Sequence, residues 1–131
     1  MKTFNKYIII SSVTGITSST TQVEYCQQQG LNVLQQDLEQ DIDEFYGEYD
    51  VIFSLEMISH IRNKVQLLRR LRSSASRLIL SENCAADSYS GDRTTFGGSI
   101  VLCTVSELVR YLEEAGWKIQ FMQEATGEDN S

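Results

Sequence analysis

Short β-branched and aromatic runs alternate with stretches whose apolar residues recur at helical spacing. That alternation constrains this chain more than any other feature of it. Residues 7–14, Tyr-Ile-Ile-Ile-Ser-Ser-Val-Thr, read as a buried strand that Gly15 ends. Ser19-Thr20-Thr21-Gln22 has the capping-box pattern and opens a short helix that Gly30 terminates. A second short strand is expected over 31–35, and a strong one over Tyr49–Leu55. Beyond it Ile61, Val65, Leu68 and Leu71 form one stripe of a helix, and 77–82 reads as a further strand. Thr104-Val105-Ser106-Glu107 is a second capping box. It leads a helix with Val105, Leu108, Val109, Leu112 and Ala115 on one stripe and Gly116 at its end. Trp117, Ile119 and Phe121 alternate with polar or flexible residues as in a half-exposed strand. The stretch 37–48 is acidic and loop-like, with room for one helical turn, 87–98 is a polar loop, and 123–131 reads as a frayed tail.

Strands alternating with helices imply an α/β fold with a doubly wound, mostly parallel sheet. At 131 residues, 41% of them hydrophobic, the chain allows one domain, 1–131, with a buried core. Open parallel sheets bind ligands at the carboxyl ends of their strands. The positions of interest are therefore 15–19, 36–38, 54–60 and 82–85.

Charge narrows the partners. Eleven basic and eighteen acidic residues give a net charge of −7. That argues against a nucleic-acid surface and against an anionic membrane. No apolar stretch approaches the roughly 20 residues of a membrane span, and no signal-type apolar segment follows Met1–Lys6, so a cytoplasmic location is expected. The charges are segregated: 37–50 holds acids and no bases, 62–77 bases and no acids. The basic run reads as a solvated helix face, or alternatively as a docking site for an acidic partner or phosphate. Cys26, Cys84 and Cys103 are far apart, read as small buried hydrophobes, and with one histidine supply no zinc pattern, so no metal is expected. No G-x-S-x-G nucleophile elbow occurs.

The run Val13-Thr14-Gly15-Ile16-Thr17-Ser18 followed by Gln22-Val23 resembles the segment after the second strand of class I S-adenosylmethionine-dependent methyltransferases, in their small-molecule branch. Downstream order agrees. Asp37-Leu38 follows the next strand. Tyr49-Asp50-Val51-Ile52-Phe53-Ser54-Leu55-Glu56 with Ile58-Ser59-His60-Ile61 is similar to the fourth-strand motif. Ser106-Glu107-Leu108, Leu112 and Ala115-Gly116-Trp117 match the late helix. The resemblance spans residues 7 to 122 and implies a Rossmann-like sheet.

It also implies S-adenosyl-L-methionine as donor and a small-molecule acceptor. Methyl transfer from a sulfonium needs in-line positioning of the nucleophile. By the resemblance Asp37 would accept from the adenine amine and Leu38 would touch the ring. Thr17 would lie near the ribose, where the family carries a carboxylate, and Ser54 would complete the cofactor side. Asp37 also reads as one more acid in an acidic loop. Glu56 and His60, four apart, would share a face if a helix begins there. His60 would remove a proton from the acceptor and Glu56 would orient it, or His60 satisfies a local backbone group instead.

The family's glycine-rich turn, G-x-G-x-G, which lets the backbone approach the cofactor, has no counterpart among the eight glycines here. The first and last strands of the family sheet are likewise without counterparts, so the expected sheet is incomplete. Three explanations stand: a truncated methyltransferase domain, one part of a split enzyme, or a domain that no longer binds cofactor. The rival function is a non-catalytic interaction module or subunit. An exposed sheet edge would then be covered by a complementary chain or by a homo-oligomer.

Overall fold

The computed structural model describes residues 12–39, 48–95 and 100–124. The chain divides into two compact units, Met1–Gln40 and Asp41–Ser131.

In the first unit β1 (Gly15–Thr17) pairs in parallel with β2 (Val33–Gln35), Gly15 opposite Val33 and Thr17 opposite Gln35. The connecting helix α1 (Thr20–Gln28) starts where the capping residue predicts: the Ser19 side chain accepts from the Gln22 N–H at 3.2 Å. The second half of that capping box is rerouted. Ser19 N donates to the Thr17 hydroxyl at 3.2 Å, and that hydroxyl donates to Gln22 Oε1 at 2.5 Å. Gly30 ends the helix in the left-handed region, φ 77°. Gly30 N donates to Gln27 O and Leu31 N to Cys26 O, at 3.0 and 2.9 Å, the paired bonds of a Schellman terminus. Within α1 only Val23 is buried, while Tyr25 is 63% exposed.

The strand expected over 7–14 is described only in part. Residues 7–11 lie outside the described residues, 12–14 carry no strand, and Gly15 opens β1 rather than ending it. A ladder exists only where a partner runs alongside. Here Gly15 N donates to Asn32 O at 2.9 Å, so β2 sets where β1 begins.

In the second unit β3 (Tyr49–Leu55) and β4 (Ala75–Ser81) form a parallel ladder, with Phe53 opposite Ile79 and Leu55 opposite Ser81. Helix α2 (Lys64–Ser74) joins them, capped by Asn63, whose side chain accepts from Gln66 N. Its Leu67, Leu68 and Leu71 are buried, Leu68 completely, and α2 packs against β4 and α3. Ile61 of the expected stripe is also buried, but it precedes α2 and follows a 3-10 turn over Ile58–His60. No loop separates the two elements: Ser74 closes α2 and Ala75 opens β4.

Helix α3 (Val105–Glu114) has the complete capping box. Thr104 Oγ1 accepts from Glu107 N at 3.1 Å, and Glu107 Oε1 accepts from Thr104 N at 2.8 Å. Beyond α3, Trp117 Nε1 donates to Leu68 O at 2.8 Å, and the Arg72 guanidinium lies 5.4 Å from the Trp117 ring centre. Arg69 donates to the Glu114 carbonyl at 3.2 Å. The exposed arginines of the basic run thus include two that fasten the end of α3 to α2. In the 87–98 loop, Thr94–Thr95 (β5) pairs antiparallel with Ile100–Val101 (β6).

The strand expected at 117–122 does not form: residues 117–124 carry none, and Ile119, Phe121 and Met122 are 37, 80 and 64% exposed. Alternation favours a strand only when a ladder accepts it, and none does among the described residues. Of the cysteines, Cys103 is buried and Cys26 and Cys84 are half-buried. Of the acidic stretch, 40–47 lies outside the described residues, as does 125–131 of the expected tail. Among the described residues no helix is long and apolar enough to cross a membrane.

Candidate functional site

Parallel pairing brings the carboxyl ends of two strands level with each other, and the candidates fall there in both units. In the first, Thr17 closes β1 opposite Gln35, and Gln36 N donates to Thr17 O at 2.9 Å. Gln35 Nε2 reaches back to Thr20 Oγ1 at 2.8 Å and to Ser18 O at 3.2 Å, which fixes the strand end to the start of α1. Asp37 comes next and is exposed; its Oδ1 accepts from Glu39 N at 2.9 Å, so the carboxylate shapes its own turn. Leu38 is half-buried beside it. Thr17 and Asp37 are therefore gathered at one end of the ladder, as the sequence predicts. The Thr17 hydroxyl already donates one hydrogen bond and accepts one, which leaves one lone pair for a further donor. Gln36 lies in the same strand-end window with no role assigned from sequence, and its Oε1 is buried and has no hydrogen-bond partner.

In the second unit Ser54, near the end of β3, is 3% exposed, and its Oγ is buried without a hydrogen-bond partner. A buried hydroxyl in that state costs about 1–3 kcal/mol unless something else meets it. Glu56 follows with φ 54°, a left-handed conformation that costs a non-glycine residue about 1 kcal/mol. It is held there because Glu56 N donates to Ser81 O at 2.6 Å. The chain then turns through the 3-10 segment, where His60 N donates to Met57 O at 3.0 Å.

This geometry corrects one expectation. Glu56 and His60 do not share a helix face, because Glu56 stands in the left-handed region and α2 begins only at Lys64. They flank a tight turn instead, both exposed, with Ile58 and Ser59 buried between them. The physical reason is Glu82. Its Oε1 accepts from Ile58 N at 2.5 Å and its Oε2 from Ser59 Oγ at 3.2 Å, so these groups are drawn to the end of β4 rather than into a helix. The sequence signal for Glu82 was its place in the strand-end window after β4; its residue type alone carried none.

A second polar cluster surrounds the start of α3. Glu107 is ion-paired with Arg93, and that hydrogen bond, with the Thr104 backbone N–H, holds its carboxyl down to about 2. Asp87 accepts from Ser106 Oγ and N at 2.5 and 3.0 Å, which lowers its pKa as well. Both carboxylates are engaged by the helix terminus they cap. Burial pushes the Cys84 and Cys103 thiols up, away from reactive thiolate. Among the described residues no three His, Cys, Asp or Glu gather so as to hold a metal ion.

Comparison with known families fits this arrangement. The family described as methionine biosynthesis protein MetW matches residues 7–84, which take in both parallel strand pairs and the turn between Glu56 and His60. The chain belongs to the MetW family. Among solved structures, it is similar to the O-methyltransferase from a trans-AT PKS multienzyme of Brevibacillus brevis, crystallised with S-adenosyl-L-homocysteine. The TM-score is 0.63 at 24% identity, covering 79% of this chain and 37% of that one. The chain thus spans little more than a third of that protein, and the likeness shows the fold: a partial, Rossmann-like methyltransferase sheet, as expected from the strand order. No curated protein sequence matches it.

Proposed function

We infer that this MetW-family chain carries groups for S-adenosyl-L-methionine-dependent methyl transfer to a small-molecule acceptor, as a partial domain. The observation that carries the reading is Ser54: a buried, unpartnered hydroxyl at a strand end, where open parallel sheets take their ligands. Bound S-adenosyl-L-methionine supplies an electrophilic methyl group on a sulfonium. The chain's own residues would hold and orient. Asp37 accepts from an exocyclic amine while Leu38 offers apolar contact. Thr17 accepts a hydroxyl hydrogen with its remaining lone pair, and Ser54 Oγ gains the partner it lacks. On the acceptor side His60 takes up the proton released as the nucleophile attacks, and Glu56 orients either the imidazole or the acceptor. The methyltransferase crystallised with S-adenosyl-L-homocysteine, the demethylated form of that donor, supports the choice of ligand.

Calorimetric titration of the chain with S-adenosyl-L-homocysteine tests this, with Asp37→Ala and Ser54→Ala alongside. Binding that weakens in both variants supports the reading. A folded chain that binds nothing overturns it as a property of this chain alone.

One observation favours a second reading, an interaction module or subunit. Phe53, Leu55 and Ile79 lie on one face of the β3–β4 ladder and are 54, 69 and 47% exposed. Parallel sheets are ordinarily covered on both faces. A complementary chain or a second copy covering that ladder would make the thermal transition concentration-dependent, and a sharp, concentration-independent one would count against it.

A further inference from the structure

We propose that Glu82 is a positioning residue: from the end of β4 it clamps the turn that presents Glu56 and His60. The description as positioning rests on the reading of those two side chains as acceptor-facing; the clamp itself rests on geometry alone. Three hydrogen bonds run from the carboxyl end of β4 to the segment leaving β3. Ser81 O accepts from Glu56 N at 2.6 Å, Glu82 Oε1 from Ile58 N at 2.5 Å, and Glu82 Oε2 from Ser59 Oγ at 3.2 Å. Two of the three come from one half-buried side chain.

The clamp matters because the segment has little else to fix it. The 3-10 turn is a single turn, and its preceding residue, Met57, makes no side-chain capping bond. Glu56 is in a conformation that disfavours its residue type. What opposes relaxation is the burial of Ile58, Ser59 and Ile61, at 0, 9 and 6% exposure, together with the carboxylate bonds. Bonds from a carboxylate to an N–H and an O–H are of the stronger, charge-assisted kind. Burial anchors the middle of the turn, and Glu82 sets its direction. Glu56 and His60, both exposed, stand on either side of the anchored residues and take their places from them. The Glu82 carboxylate thereby acts through the backbone and Ser59 rather than by contact with a substrate.

His60 is the sole histidine, so its ring Hε1 gives a single, unambiguously assigned resonance in the full 131-residue chain. Two readouts follow: that resonance, and hydrogen exchange at the Ile58 amide, with the Leu68 and Leu71 amides of α2 as internal reference. In Glu82→Ala the Ile58 amide should exchange about tenfold faster and the His60 resonance should move, while the α2 amides stay within about twofold. Glu82→Gln, which keeps an oxygen for the Ile58 N–H, should restore the Ile58 protection. Unchanged Ile58 exchange and an unmoved His60 resonance in Glu82→Ala would overturn the proposal, as would failure of Gln to rescue. If Glu82→Ala does not fold, Ser59→Ala decides. It deletes one bond of the clamp, so a shifted His60 resonance supports the proposal and an unshifted one overturns it. Neither readout uses cofactor, so absence of S-adenosyl-L-homocysteine binding would sink the methyl-transfer reading and leave the clamp standing.

Discussion

The chain contains the same motif twice, built to different strength. β1–α1–β2 and β3–α2–β4 are both strand–helix–strand units with parallel ladders. The first pairs three residues and its helix buries one side chain, Val23. The second has seven-residue strands and a helix that buries Leu67, Leu68, Leu71 and Ser74. Both helices have a side-chain N-cap, so local signals do not make the difference. Apolar side chains do: α1 reads Thr-Thr-Gln-Val-Glu-Tyr-Cys-Gln-Gln, and its periodic face is too sparse to drive packing. The topology is shared, and burial sets the strength.

The largest expected effect breaks the stronger unit. Leu68→Ala removes a fully buried side chain next to the carbonyl that receives the Trp117 indole, and should cost about 3 kcal/mol in a denaturant titration. The matching change in the weaker unit, Val23→Ala, should cost about 1.5 kcal/mol. Its effect on amide exchange should stay within 15–35. If both substitutions lower all amide protection equally, the two units unfold together and the contrast fails. Next comes Gly30→Ala, which places a Cβ at φ 77° with open space around it. The cost, about 1 kcal/mol, is therefore purely conformational and should appear as faster exchange at the end of α1.

The smallest effect is electrostatic and belongs to the second unit. The folded pKa of Glu107, about 2, lies below its ordinary 4.5. The ionised form is thus favoured by folding, and its contribution is complete above about pH 4.5 and lost as pH falls toward 2. The carboxylate is partly exposed, so solvent screening leaves about 1 kcal/mol or less. Glu107→Gln should flatten that part of the acid-stability profile, and α3 amides should report it first.

Legibility in the sequence followed the range of the interaction. Helix starts at Ser19 and Thr104 and helix stops at Gly30 and Gly116 were readable because caps are made by residues within one turn. β3 was readable because Tyr49, Val51, Ile52 and Phe53 put four β-branched or aromatic residues into a seven-residue run, which has few alternatives. The strand expected after α3 failed because alternation says which face a strand would show, not whether a ladder will accept it. The start of β1 at Gly15 has the same origin: Gly15 pairs with Val33 and donates to Asn32 O, groups some 17 residues away. The window after each strand holds the candidates Thr17, Asp37, Leu38, Ser54, Glu56 and His60, but says nothing of their relations.

The sequence by itself therefore determined β3, the starts of α1 and α3, the helix stops at Gly30 and Gly116, and the parallel α/β class, since these rest on propensity, periodicity and local hydrogen bonds. Only the tertiary structure decided that Glu56 would be left-handed, that Glu56 and His60 would flank a turn rather than share a helix, that Glu82 would hold that turn, and that the Ser54 hydroxyl would be buried without a partner. The turn's geometry depends on which groups meet across 23 or more residues of chain, as Ser59 and Ile58 meet Glu82, and no local pattern encodes such a meeting.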